Sequence, residues 1–383
     1  MSATAQPIPL APIQSLDADD RTLLRALQHA EKSRAELSRT TGWSRNTVAT
    51  KLDKLLSTGW VHENAETPVG RGRPFSSYKI NPLASLNFVA RFNAEQVGAA
   101  ICRLDGSLLA WQARDLAPEP GPDGAIRTLD EMLSSMTEQH GIDRRFIRAM
   151  VVGVPGPVSD MRRTVPWSKV GVLPSDFSSH FGMKVAVDND ANIMAMGVQV
   201  ENPDADSVLF LLVETGIGAG LVFSGKLHRG LGGWAGEVGH IPVAAAGDAP
   251  CVCGNRGCLA MVASNPALMR SISTDARPVD SVEVLRDLVL SGDTAAIVAL
   301  RQAGRHIGEA ITGLVVGLAP SLISVGGNVA QIGDHVIAGV RESLAQRTPP
   351  AISAQLQIAA TRDHNLTGVR GAAALAFDLL FAE

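Results

Sequence analysis

The chain has 383 residues, 45% of them hydrophobic and 19% charged, with a formal net charge of −4. That composition is too apolar for an intrinsically disordered chain, and the length accommodates two or three domains with substantial cores. The longest apolar tract, residues 311–329, is interrupted by several glycines and Pro320, so it reads as buried helix and strand and not as a membrane span.

Residues 1–16 are rich in Pro and Ala, without the basic start and continuous apolar run of a secretory signal. They read as a disordered arm on a cytoplasmic protein with no membrane partner. Charge is unevenly spread. Residues 21–81 hold 11 Lys and Arg against 5 Asp and Glu, whereas residues 82–383 hold 23 against 30. A basic front module is what contact with a polyanion would require, although an ordinary charged surface is the alternative.

Residues 17–29 place Leu23, Leu24 and Leu27 at helical spacing behind an acidic first turn, which predicts a first helix. Ser33 and Glu36 form a Ser-x-x-Glu capping box for a second helix over residues 34–40, with Gly42 as the turn. Ser44 caps a third helix through about residue 57, whose apolar stripe is Val48, Leu52, Leu55 and Leu56. Three helices of this length with a glycine turn form a helix-turn-helix pattern, whose last helix enters the major groove N-terminus first. Ser44, Arg45, Asn46, Thr47 and Lys51 are the candidate DNA contacts. Arg and Asn bond base edges in pairs, and Ser, Thr and Lys more often hold phosphates. A protein-interaction domain with solvated helices is the alternative.

Strand-like residues 60–63 and 76–80 flank a loop whose tip is Gly70-Arg71-Gly72-Arg73-Pro74, the layout of a wing. Arg71 and Arg73 are placed to reach a narrow minor groove, where negative potential favours guanidinium groups. Asn81-Pro82 ends the module, giving an arm over 1–16, a winged helix-turn-helix over 17–82 and a second domain over 83–383.

From Leu86 onward, apolar strands alternate with glycine turns and amphipathic helices, the α/β signature. Strands are predicted over 88–90, 98–103, 150–154, 185–187, 208–213, 219–223 and 322–324. The most specific feature is Gly236-Glu237-Val238-Gly239-His240 followed by Cys251, Cys253 and Cys258, three of the four cysteines within eight residues. Three thiolates and an imidazole make the closed tetrahedral set that a structural Zn2+ ion prefers, so His240, Cys251, Cys253 and Cys258 are predicted metal ligands in a loop over 240–258. A Cys-x-Cys pair is too close for an easy disulfide. Cys102, isolated on a strand, reads as core.

These elements, with Val187-Asp188-Asn189-Asp190-Ala191-Asn192 and Thr215-Gly216-Ile217-Gly218-Ala219-Gly220 upstream, resemble the ROK family of repressors and sugar kinases over about residues 86–383, and the winged helix in front resembles its repressor branch. The resemblance implies an actin-like, ribonuclease H-like two-lobed sugar-kinase fold with a sugar cleft between lobes. It places Asp190 at the kinase base, Asn189 and Glu237 at sugar-hydroxyl contacts, and His240 at a metal ligand that also faces the sugar. A carboxylate in reach of a hydroxyl suits that role chemically. Asp188 as a helix cap and Glu237 as partner of a lobe-crossing Arg are the alternatives.

The phosphate-binding turns depart from the family's kinases. Arg91, Asn93, Ala94 and Glu95 stand where the first turn reads Asp-x-Gly-Gly-Thr, and Glu214-Thr215-Gly216 where the second begins Gly-Thr-Gly. Two carboxylates then face the phosphate site and ATP should bind poorly, leaving Asp190 vestigial, although Gly326-Gly327 resembles the adenosine-side turn. Ala260 replaces a family Glu that contacts sugar. The expectation is therefore a non-enzymatic, DNA-binding regulator of carbohydrate genes, a homodimer with tetramers left open, that senses a sugar or sugar derivative. An ATP-dependent sugar kinase is the alternative.

Overall fold

The computed structural model describes residues 13–28, 30–65, 76–93, 96–116, 121–158 and 174–382. Helix α1 (Ala18–Ala26) is capped by Asp17, which bonds reciprocally with Asp20 in a box not read from the sequence. Strand β1 (Lys32–Ser33) leads into α2 (Arg34–Thr41), where the Ser33–Glu36 box forms as expected and Gly42 ends the helix at φ +74°. Only glycine adopts that backbone without strain, so the turn into α3 (Arg45–Ser57) depends on it. Strands β2 (Val61–Ala65) and β3 (Ser76–Ile80) pair antiparallel, and β1 adds to β3.

The rest of the chain repeats one pattern twice. Strands β4 (Leu86–Phe92), β5 (Gln96–Arg103) and β6 (Leu108–Asp115) form an antiparallel meander, followed by α4 (Gly121–His140), β7 (Ile147–Val154), α5 (Pro174–Phe181), β8 (Lys184–Asn189) and α6 (Asp190–Glu201). The sheet order is β6-β5-β4-β7-β8, with β7 and β8 parallel to β4. The second lobe begins with the meander β9 (Ser207–Val213), β10 (Ile217–Phe223) and β11 (Lys226–Leu227). A long loop and four helices follow: α7 (Ala260–Ala263), α8 (Asn265–Ile272), α9 (Val282–Leu290) and α10 (Thr294–Leu318). Then come β12 (Leu322–Gly326), α11 (His335–Arg347), α12 (Pro350–Ser353), β13 (Gln357–Ala360) and α13 (His364–Phe381), in a sheet ordered β11-β10-β9-β12-β13. All seven expected strands fall inside these elements, whereas β1, β6, β11 and β13 were not anticipated.

The last helix of each lobe lies on the other lobe. Helix α6, which follows the first sheet, packs on β9 and β10 of the second, and α13, which follows the second sheet, packs on β7, β4 and β8 of the first. The two helices cross with their backbones almost touching. A Cβ on Gly197 would lie 1.9 Å from Thr367 O, and one on Gly371 would lie 1.9 Å from Ile193 O.

One continuous apolar cluster runs from Leu23, Leu37, Leu52 and Trp60 in the front module through Phe377 and Phe381 of α13 to Ile193 and Met194 of α6. Separate clusters fill the outer faces of the second and first lobes. No helix among the described residues is long and apolar enough to cross a membrane.

Candidate functional site: an interlobe cleft, a thiolate loop and an exposed helix start

The loop after β11 is shaped by two glycines that lie against β10. Gly236 sits at φ +92° with room for no side chain, since a Cβ would lie 1.9 Å from Ala219 O. A Cβ on Gly239 would lie 2.3 Å from Ile217 O. Hydrogen to Cβ at either place would push the loop off the sheet, so Glu237 and His240 are held where the two glycines dock.

His240 meets the three cysteines. The ligand atoms of His240, Cys251, Cys253 and Cys258 all lie within 4.8 Å of one another. His240 Nδ1 is 3.5 Å from Cys251 Sγ, and Cys253 Sγ is 3.7 Å from Cys258 Sγ. A tetrahedron with metal–sulfur bonds of about 2.3 Å has edges of about 3.8 Å, so the four atoms fit one four-coordinate metal ion. His240 Nε2 points the other way, 3.7 Å from the Glu237 carboxylate. Such an arrangement fixes the tautomer of a ligating histidine.

A cavity of about 500 Å³ opens between the lobes and is lined by Asn189, Asp190, Glu214, Glu237, His240 and Ala260. The structure thus brings together all four residues expected to face a ligand. Their states differ. Asp190, at the start of α6, is buried, and burial pushes its carboxyl up to about 7, with the guanidinium of Arg91 4.0 Å away pulling in the opposite direction. Burial likewise raises the Glu237 carboxyl to about 7.

Asn189, while lining the cleft, has a second task. Its Oδ1 accepts from Ala191 N and Asn192 N, and its Nδ2 donates to Gly156 O, so it is the N-cap of α6. That displaces the alternative of Asp188 as the cap. Asp188 instead accepts two hydrogen bonds from Arg229 at 2.7 and 2.9 Å and one from Asn192 Nδ2. Arg229 comes from the second lobe and Asp188 from the first, so the lobe-crossing arginine pairs with Asp188 and not with Glu237.

The expected confrontation of carboxylates at the phosphate turns takes another form. Glu95 lies outside the described residues, as does Ala94. Glu214 is buried, with its carboxylate 3.4 Å from Arg91 Nη2 and 3.3 Å from His364 Nε2. Burial alone would raise this acid, but Arg91 and His364 outweigh it and hold the carboxyl at about 2. The acid is therefore neutralised internally, and the guanidinium and carboxylate fill the two turns together. Gly327, in the expected adenosine-side turn, has a local reason to be glycine: a Cβ there would lie 2.1 Å from Val213 O.

In the front module, Ser44, Arg45, Asn46 and Thr47 are exposed at the start of α3, and Ser44 Oγ accepts from Thr47 N. Lys51, also expected to hold a phosphate, is engaged within the module. Its ammonium is held 2.9 Å from Asp17 and 3.1 Å from Asp19, so it fastens α3 to α1. Arg71 and Arg73 lie outside the described residues. Sequence reasoning missed His364, Arg229, Arg21 and Arg25. The last two bond carbonyls at the end of α13: Arg21 Nη1 donates to Ala382 O at 2.8 Å and Arg25 Nη2 to Phe381 O at 2.6 Å.

Comparison with known proteins places these features. The family model described as "ROK family" matches residues 94–378. A xylose repressor of Bacillus spizizenii is 25% identical over 336 residues, covering 85% of each chain. The structure of a ROK family transcriptional regulator, a homolog of the E. coli MLC protein, superposes with a TM-score of 0.79 at 21% identity, covering 95% of this chain and 97% of that one. A ROK family glucokinase from Streptomyces griseus, solved with glucose and AMPPNP, gives a TM-score of 0.64 at 25% identity over 76% of this chain and 99% of its own.

Proposed function

The chain belongs to the ROK family, and on that footing we propose that it is a DNA-binding transcription regulator, a repressor of carbohydrate uptake or catabolic genes, that senses a sugar or sugar derivative and does not phosphorylate it. The observation that carries the reading is the start of α3, where four consecutive polar side chains, Ser44 to Thr47, stand exposed in a helix-turn-helix. In the major groove Arg45 and Asn46 would meet base edges while Ser44 and Thr47 hold phosphates. Two copies joined through their family domains would present two such helices to a two-fold operator in the cytoplasm. The relatives named repressors span the same extent of chain.

The metal implied by the thiolate loop is Zn2+, held by His240, Cys251, Cys253 and Cys258. When bound it supplies a structural cross-link. Glu237 then keeps a fixed orientation toward the cleft through His240 Nε2. Asp190 and Glu237 offer acceptors to sugar hydroxyls, while Ala260 leaves unpaired any hydroxyl that a carboxylate would otherwise accept, a cost of about 1–3 kcal/mol. The effector thus differs from a sugar read on every edge.

The second reading, an ATP-dependent sugar kinase, draws on Asp190 and on relatives named glucokinases. Glu214 counts against it, because its side chain stands where a glycine would let backbone amides approach phosphates, and its carboxylate is already paired with Arg91. Selection of bound fragments from a genomic DNA pool, run beside an ADP-release assay over common hexoses and N-acetylated amino sugars, separates the two. Enrichment of a two-fold sequence that is lost in Arg45→Ala supports the regulator, and turnover abolished by Asp190→Asn would overturn it.

A further inference from the structure

Helix α13 has one end in the cleft and the other under the DNA-reading module. Its first residue, His364, places Nε2 3.3 Å from the Glu214 carboxylate, the same carboxylate that pairs with Arg91. Eighteen residues on, a distance of about 27 Å along the axis, its last carbonyls accept hydrogen bonds from Arg21 and Arg25 of α1. Cations at a helix C-terminus complement its dipole as well as its unpaired carbonyls. Phe381 meets Trp60 edge-on, with ring centroids 5.8 Å apart. Beyond these contacts, the apolar core runs without a break from α13 into the front module.

The helix is also keyed to the moving lobe. Helix α6 seats on the second sheet where a Cβ on Gly220 would meet Ala191 O at 2.4 Å, and the α6–α13 crossing leaves no room at Gly197 or Gly371. Backbones in such contact cannot slide freely past each other. A shift of the second lobe therefore carries α6 with it and pushes on α13.

We infer that α13 is the mechanical link between the cleft and the winged helix, with the Arg91–Glu214–His364 cluster at its input and Arg21, Arg25 and Trp60 at its output. The inference rests on the regulator reading for its purpose, but its physical content is independent of any ligand. Whatever changes the position of Glu214 changes the seat of α1, and with it the angle at which α3 is offered to DNA.

The test is hydrogen exchange by mass spectrometry on the full-length protein, with neither DNA nor sugar added. Glu214→Gln should speed exchange in the first turns of α13 and also in α1 and residues 59–61 at least tenfold more than in β12, whose buried amides report the global loss of stability. In an Arg21→Ala/Arg25→Ala background the response of α1 should vanish and that of the first turns of α13 persist. His364→Gln serves as the milder input change should Glu214→Gln not fold. A response at the start of α13 that never reaches α1, or no response at either place, overturns the link. Failure of the protein to retain DNA bears on the regulator reading alone.

Discussion

Arg91 and Glu214, 123 residues apart in the chain, close the cleft floor with a 3.4 Å ion pair between the two lobes. Arg91 stands at the Asp position of the first turn and Glu214 at the first Gly of the second, and each compensates the other's charge. Glu214 is buried and Arg91 half-buried, which sets the cost of breaking the pair.

Glu214→Gln should lower stability by about 3 kcal/mol, because removing one partner leaves the other charge buried and uncompensated. Arg91→Ala/Glu214→Gln should cost less than the two single changes added together. Urea unfolding of the four proteins gives the coupling directly. Additive losses would mean that the two groups do not interact.

Asp190 makes stability fall as pH rises. Its carboxyl is near 7 in the folded protein against an ordinary 3.8, so the native state binds the proton more tightly than the unfolded chain. The contribution is complete below about pH 4 and is lost as pH climbs through 7. Asp190→Asn carries no such proton, and its stability relative to the natural protein should grow by up to about 4 kcal/mol between pH 4 and pH 8. Melts across that range check the slope, and a flat difference contradicts the assignment.

Elemental analysis should find one zinc per chain, and Cys258→Ser or Cys253→Ser should abolish it. Loss of the ion should lower Tm by at least about 5 °C and make the loop over residues 240–258 sensitive to protease, since binding energy at a structural site is folding energy. Full metal content in both variants would remove the four-ligand site.

The front module separates by role. Arg45→Ala should cost about 1–3 kcal/mol at the preferred sequence and little on random DNA, whereas Arg71→Ala and Arg73→Ala should each flatten the salt dependence by about one phosphate contact. Lys51→Ala should leave the salt slope alone and lower Tm, because its ammonium serves Asp17 and Asp19. A changed salt slope in Lys51→Ala would return that residue to the DNA face.

What could be read from the sequence was what neighbours in the chain decide. The Ser33–Glu36 box, the Ser44 cap and the Cys251, Cys253, Cys258 cluster each span a few residues and act locally. The same holds for Gly236 and Gly239 as a motif, though not for their contact with β10. The ion pairs of Lys51 with Asp17 and Asp19 could not be read, because they depend on how α1 packs beside α3. The capping bonds of Asn189 were not read, because they depend on where β8 ends. The joining of Arg91, Glu214 and His364 was invisible, since three residues from separate strands and helices meet only once the two lobes have exchanged their final helices. Strand β6 escaped for a different reason: it is an edge strand with an exposed alternate face, and its apolar signal is weak.

The bonds from Arg21 and Arg25 to the carbonyls of Phe381 and Ala382 tie α1 to the far end of α13, more than 350 residues later. During translation the DNA-reading unit emerges long before its support exists, and it becomes fully seated only after α13 has formed. A product cut short before α13 would carry the reading helix without its anchorage.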